Sequence, residues 1–164
     1  MIRNCNKEWV NLEEDVEALE LYLQLEQLRF GPQFDYNLEI LPEVFQQVTM
    51  IPPLIIQPYV QEAIWQRLLL RPEKTGGHLQ IIISRDKDML CIRIADNGVH
   101  NDTLPPADAS FLKGITIAAE RLEAINEKYN LRASVKEEDR YNDRHEPDGN
   151  NVTIKMQHVS SRLN

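Results

Sequence analysis

Two alternating apolar runs, HLQIIISRD and MLCIRIADNG, follow one another with only the polar turn Asp86 to Asp88 between them. Successive side chains of a strand point to opposite faces, so each run reads as a strand with one buried face. The same signature recurs in FDYNLEI, where Phe34, Tyr36, Leu38 and Ile40 alternate, and in ASVKEE and NVTIKMQH near the end. Helical spacing separates them. Leu12, Val16, Leu19 and Leu23 recur at three- and four-residue steps, as do the apolar residues of IIQPYVQEAIWQRL and of Gly114 to Lys128. The predicted order is helix, strand, helix, strand, strand, loop, helix, strand, strand. Strands in consecutive pairs do not make a steady βαβ alternation. The pattern predicts an α+β fold, a two-layer sandwich with helices on one face of a mixed sheet. The other sheet face would be partly polar, as Asn37, Glu39, Arg93 and Lys155 suggest.

Local signals set the boundaries. Asn11 followed by Glu14 fits a capping box, and Gly31-Pro32 ends the first helix. LPEVFQQVTMIPP reads as a connection with a short helical turn. Pro58 lacks an N–H, so the second helix starts or kinks there. A loop is expected from Val99 to about Leu112, and a polar mobile loop over DRYNDRHEPDGN. There is no internal repeat. The expected organisation is a tail over 1–10, one domain over 11–158 and a second tail over 159–164.

The 164 residues carry 18 Lys and Arg against 26 Asp and Glu, a formal net charge of −8. That balance argues against nucleic acid or an anionic membrane as partner, since both require basic patches. No apolar run approaches the roughly 20 residues of a membrane helix, and MIRNCNKEWV has no signal-peptide core. Cys5 and Cys91 form no CxxC pair, so a reduced, cytoplasmic setting is expected. His78, His100, His145 and His158 lack metal-ligand spacing. On residue chemistry alone, Asp-Asn-Gly at 96–98 is a turn, Trp65 a packing residue and His100 a solvated loop residue.

Four stretches together resemble a known family. LEEDVEALELYLQLEQLRFG, PPLIIQPYVQEAIWQRL, ADNGVH and LKGITIAAERL are similar to successive motifs of the ATP-binding domain of the gyrase, chaperone, histidine-kinase and MutL superfamily. The likeness is closer to the catalytic domain of LytS/YehU-type sensor histidine kinases, and it runs from about Val10 to the last strand. The resemblance implies the Bergerat (histidine-kinase ATPase) fold. It implies ATP and Mg²⁺ as cofactors, and Asp96 as the acceptor for the adenine amino group, with Gly98 allowing close approach of the nucleotide.

This chain departs from the family pattern at several positions. The family asparagine that helps hold Mg²⁺ corresponds to Glu62, and the glutamate before it to Gln61. Adjacent helix positions point about 100° apart, so the exchange does not restore the original site. The family Lys-His-Gly becomes Trp65, Gln66 and Arg67, the second glycine of D-N-G-x-G becomes His100, and G-x-G-L is reduced to Leu112, Lys113, Gly114 and Ile115. The candidate nucleotide-binding residues are therefore Asp96, Gly98, Gly114, Lys113, Gln66 and Arg121. Glu62 is the candidate metal ligand, a hard oxygen donor.

Two readings follow from the resemblance. In the first, the domain transfers the ATP γ-phosphoryl group to a histidine on a separate dimerisation domain of the same, homodimeric parent, with a response regulator downstream and the parent anchored in the inner membrane. In the second, the altered site belongs to a degenerate relative that signals by protein interaction, with weak nucleotide binding or none. The family's phosphoacceptor motif, N-P-H-F-L-F-N, does not occur in the chain, which reads as an excised catalytic domain or one lacking its acceptor.

Overall fold

The computed structural model of the chain describes residues 9–100 and 109–157, with the side chains of 109–114 outside the description. Strand β1 (Val10–Asn11) leads directly into helix α1 (Leu12–Phe30). Asn11 caps that helix through its side-chain oxygen, which accepts from the Glu13 N–H at 2.9 Å. Gly31, at φ 56°, closes it. Strand β2 (Phe34–Ile40) follows, then a short 3-10 turn (Pro42–Gln46) and β3 (Met50–Ile51), which pairs antiparallel with β1. Val10, expected to belong to a tail, is buried and lies opposite Ile51.

Helix α2 (Gln57–Glu62) begins with Pro58 in its first turn, where a missing N–H costs nothing. It does not continue as a regular helix. Ala63–Leu68 is a π-helical turn, with the Leu69 N–H bonded to the Ile64 carbonyl at 2.9 Å, five residues back. The strands β4 (Gly77–Asp86) and β5 (Met89–Asp96) come next, then the long helix α3 (Ala109–Tyr129) and the hairpin β6 (Ser134–Tyr141) and β7 (Pro147–Gln157). The sheet order is β2-β4-β5-β7-β6, with β2 and β4 parallel and the other neighbours antiparallel.

The expected two-layer sandwich is the observed one. Alternate residues Leu79, Ile81, Ile83, Leu90, Ile92, Ile94, Val152 and Ile154 are buried in one cluster with Leu19 and Leu23 of α1, Tyr59 and Val60 of α2, and Ala118 and Leu122 of α3. Asn37, Glu39, Arg93 and Lys155 are exposed on the other face, as predicted. Two expectations need correction. Helix α3 starts at Ala109 rather than Gly114, inside the expected loop. The mobile loop over DRYNDRHEPDGN is mostly strand: β6 runs to Tyr141 and β7 starts at Pro147. Its tip is held by Asn142, whose side-chain oxygen accepts from the N–H groups of Arg144 and Glu146. β6 is the edge strand and its residues are mostly exposed, so its charges stay in water, and polarity alone does not distinguish such a strand from a loop.

Candidate functional site

The last residue of β5 is the centre of the site. Asp96 lies opposite Leu79 of β4 on one side and Asn150 of β7 on the other, and is 1% exposed. Its Oδ1 accepts from the Gly98 N–H at 2.9 Å and from Asn150 Nδ2 at 3.1 Å. Its Oδ2 accepts from Arg67 Nε at 3.0 Å. Asn97 ties the same turn to β4, accepting from the His78 N–H at 2.6 Å and donating to the Gly76 carbonyl at 2.9 Å. Backbone and side chain thus fix the direction of the Asp96 carboxylate before any ligand arrives.

Gly98 is required by close packing, but its neighbour is the protein itself. A Cβ there would lie 2.6 Å from the backbone carbon and Cβ of Arg67. The Val99 N–H donates to the Arg67 carbonyl at 3.3 Å, so the Asp-Asn-Gly turn is sewn to the end of the α2 segment. Gly149 is needed in the same way: at φ 97°, a Cβ would stand 1.9 Å from the Asp96 carbonyl oxygen.

Arg67 is the residue that sequence reasoning passed over as a lost glycine. It is 2% exposed, with Nη1 3.6 Å from Glu62 Oε1 and Nε on Asp96. Glu62 and Arg67 are five residues apart. In a regular α-helix five steps leave side chains about 140° apart, so the two would not meet. The π-helical turn between them removes much of that offset, which is the form such turns often take at functional sites. Burial raises the Glu62 carboxyl above its ordinary range, the Arg67 charge opposes this, and Glu137 and Asp96 add to it.

Three side chains of this network each keep one buried polar atom without a hydrogen-bond partner among the described residues: Glu62 Oε2, Arg67 Nη2 and Asn150 Oδ1. An unsatisfied buried polar atom costs about 1–3 kcal/mol. An open polar cleft adjoins the turn, lined by Arg71, Glu73, Asn97, Gly98 and Asp148.

The other predicted residues are distributed as follows. Gln66 is half-buried within the π-helical turn. Arg121 is tied through Nη1 to the Pro53 carbonyl, linking α3 to the segment before α2. Lys113 and Gly114 fall within the first turns of α3, and their side-chain surroundings lie outside the described residues. Trp65 faces α1, where it packs edge-on against Phe30 with ring centroids 5.0 Å apart. His100 is not a solvated loop residue. It is 7% exposed, 3.4 Å from the Arg140 carbonyl and edge-on to Tyr141, packed under the β6–β7 hairpin. Among the described residues no cluster of three His, Cys, Asp or Glu side chains forms a metal cage, and no described helix is long and apolar enough to cross a membrane. Cys91 is a free thiol, and Cys5 lies outside the described residues.

No family model matches the chain. Individual proteins do. The sensor protein LytS of Staphylococcus epidermidis is 30% identical over 89 residues, covering 54% of this chain and 14% of that protein. The sensor histidine kinase BtsS of Escherichia coli K12 is 31% identical over 129 residues, 76% of this chain and 21% of that protein. The chain therefore spans about a seventh to a fifth of the length of these curated relatives. Among solved structures, the nucleotide-free catalytic domain of histidine kinase ThkA superposes with a TM-score of 0.61 at 14% identity, covering 93% of this chain and 97% of that one. Histidine kinase AdeS of Acinetobacter baumannii gives 0.58 at 12% identity, over 92% and 66%. The fold is that of a histidine kinase catalytic domain, and by its sequence relatives the chain belongs to the LytS-type sensor histidine kinases.

Proposed function

We propose that this domain binds ATP and supplies the γ-phosphoryl group to a histidine on a dimerisation domain of a longer, homodimeric parent. The observation that carries the reading is the fixed, buried Asp96 carboxylate, in a network whose side chains keep three unpartnered polar atoms. A carboxylate held at a strand end is a rigid acceptor for an exocyclic amino group. Asn150, placed beside it by the β5–β7 register, offers a second acceptor in its free Oδ1.

Glu62 is the one carboxylate we assign to a magnesium ion. Mg²⁺ takes one or two protein carboxylates and completes its shell with water and substrate phosphates. Glu62 would hold it through the unpartnered Oε2, and the ion would neutralise charge on the phosphates. Arg67, 3.6 Å from the other Glu62 oxygen, limits how much negative charge Glu62 presents. Phosphoryl transfer needs little covalent chemistry from the protein, so the chain's part is to position the nucleotide and balance its charge.

A histidine kinase related in fold, ThkA, has been solved in complex with the response regulator protein TrrA. By that likeness the parent of this domain passes its phosphoryl group to a response regulator. The placement of the parent at the inner membrane is part of the same reading.

The test is titration with a non-hydrolysable ATP analogue, with and without Mg²⁺, followed by phosphorylation of a supplied histidine-bearing dimerisation domain. Saturable, Mg²⁺-dependent binding and labelling of that histidine are expected. A nucleotide that leaves every amide resonance of the wild-type chain unmoved at millimolar concentration would remove this reading for the chain as it stands.

A further inference from the structure

The buried Arg67 side chain takes the Asp96 hydrogen bond that the proposed function gives to a nucleobase amino group. It is among the largest fully buried side chains, and its Nε donates to Asp96 Oδ2 at 3.0 Å. The remaining two Asp96 contacts come from Gly98 and Asn150, on Oδ1. Oδ2 is thus the oxygen available to a ligand, and Arg67 holds it. The backbone around Arg67 is fixed by the Val99 N–H and by the Gly98 contact, so only the side chain can yield.

The guanidinium is poorly partnered for a purely structural ion pair. Nη2 is buried without an acceptor, and Nη1 is 3.6 Å from Glu62, longer than a normal charge-assisted hydrogen bond. Asn150 Oδ1 and Glu62 Oε2, on side chains of the same network, have no partner among the described residues. A buried network that leaves a donor and two acceptors unsatisfied is a costly way to stabilise a core. Such an arrangement is suited to exchange one donor for another.

We propose that Arg67 is an internal occupant of the base slot: its guanidinium stands on Asp96 in place of the base amino group, and an adenine nucleotide enters only when the Arg67 side chain leaves. The domain is then closed by its own residue, and any partner contact that draws Arg67 outward opens it. This rests on the nucleotide reading above and specifies how that site is regulated.

The experiment compares Mg-ADP with Mg-tripolyphosphate, by calorimetric titration, on the wild-type chain and on Arg67→Ala. Removing a competitor for a charged acceptor should tighten Mg-ADP binding by at least about tenfold. Tripolyphosphate, which has no base, should bind both proteins alike. Should Arg67→Ala not fold, Arg67→Gln carries the same comparison with a shorter, uncharged donor. Equal Mg-ADP affinity in wild type and variant, or weaker binding in the variant, would overturn the closure while leaving the nucleotide reading in place; weaker binding of both ligands would make Arg67 a phosphate contact. Binding by neither protein would overturn both readings.

Discussion

The Trp65 indole N–H donates to Glu26 Oε2 at 2.7 Å, joining the π-helical turn to the C-terminal part of α1 across 39 residues of sequence. Tyr22 adds a longer bond to the same oxygen at 3.4 Å, and the Arg29 guanidinium lies 5.1 Å from the centroids of both Phe30 and Trp65. The cluster explains how a carboxylate only 8% exposed persists on α1. It also assigns Trp65 to packing. Trp65→Phe should destabilise the domain by about 1–3 kcal/mol, because Glu26 loses its nearest donor. Urea denaturation measures this, and nucleotide affinity should stay at the wild-type value. A loss of affinity without a loss of stability would give Trp65 a part in the site.

Asp15 gives a pH dependence of defined sign. Burial pushes its carboxyl up from 3.8 to about 6, with a backbone hydrogen bond from Leu54 opposing the shift. The folded state holds this proton more tightly than the unfolded chain. The associated stability is fully present below about pH 4 and is lost as pH rises through about 6. A shift of this size corresponds to about 3 kcal/mol at most. Asp15→Asn keeps an acceptor for Leu54 without the charge. Its stability at pH 8 should exceed that of wild type by about 1–2 kcal/mol, and the difference should vanish near pH 4. Thermal unfolding across that range checks both the sign and the window.

Breaking the buried pair at one end should be far more damaging than replacing both ends. Asp96→Ala leaves the Arg67 charge buried with only the 3.6 Å contact to Glu62. A loss of about 3–5 kcal/mol is expected. The double variant Arg67→Met with Asp96→Leu should recover the part that comes from the stranded charge, while the Gly98 N–H and Asn150 Nδ2 still lose their acceptor. Equal losses in the single and double variants would show that the pair contributes through packing rather than charge.

The two glycines beside Asp96 should rank in order of the clash each added methyl meets. Gly98→Ala brings a Cβ to 2.6 Å of Arg67 backbone and should cost about 1–3 kcal/mol. Gly149→Ala brings one to 1.9 Å of the Asp96 carbonyl at a positive φ, and should cost more. Thermal unfolding of the two variants tests the order, and a harmless Gly149→Ala would contradict the turn geometry described here.

Periodicity alone determined the layered fold of this protein. The alternation in β2, β4, β5 and β7 and the three- and four-residue spacing of α1 and α3 state which faces are apolar, and burying them leaves few arrangements. The place of Asp96 at the end of a strand, before the Asn-Gly turn, was legible too, while its role as a ligand acceptor came only from the resemblance. What the sequence could not show was where Arg67, Trp65 and His100 point. The π-helical turn breaks the 100° step that a helical reading assumes, so Arg67 rotates onto Asp96. His100 is buried because a polar stretch read as a loop is in fact the β6–β7 hairpin that covers it. The resemblance gave Gly98 the role of allowing close approach of a nucleotide; the tertiary structure adds a second demand, since an added Cβ would meet the backbone of Arg67. Side-chain direction at a helix irregularity depends on which long-range partner offers a charge or a hydrogen bond, and those partners meet only once the sheet has formed.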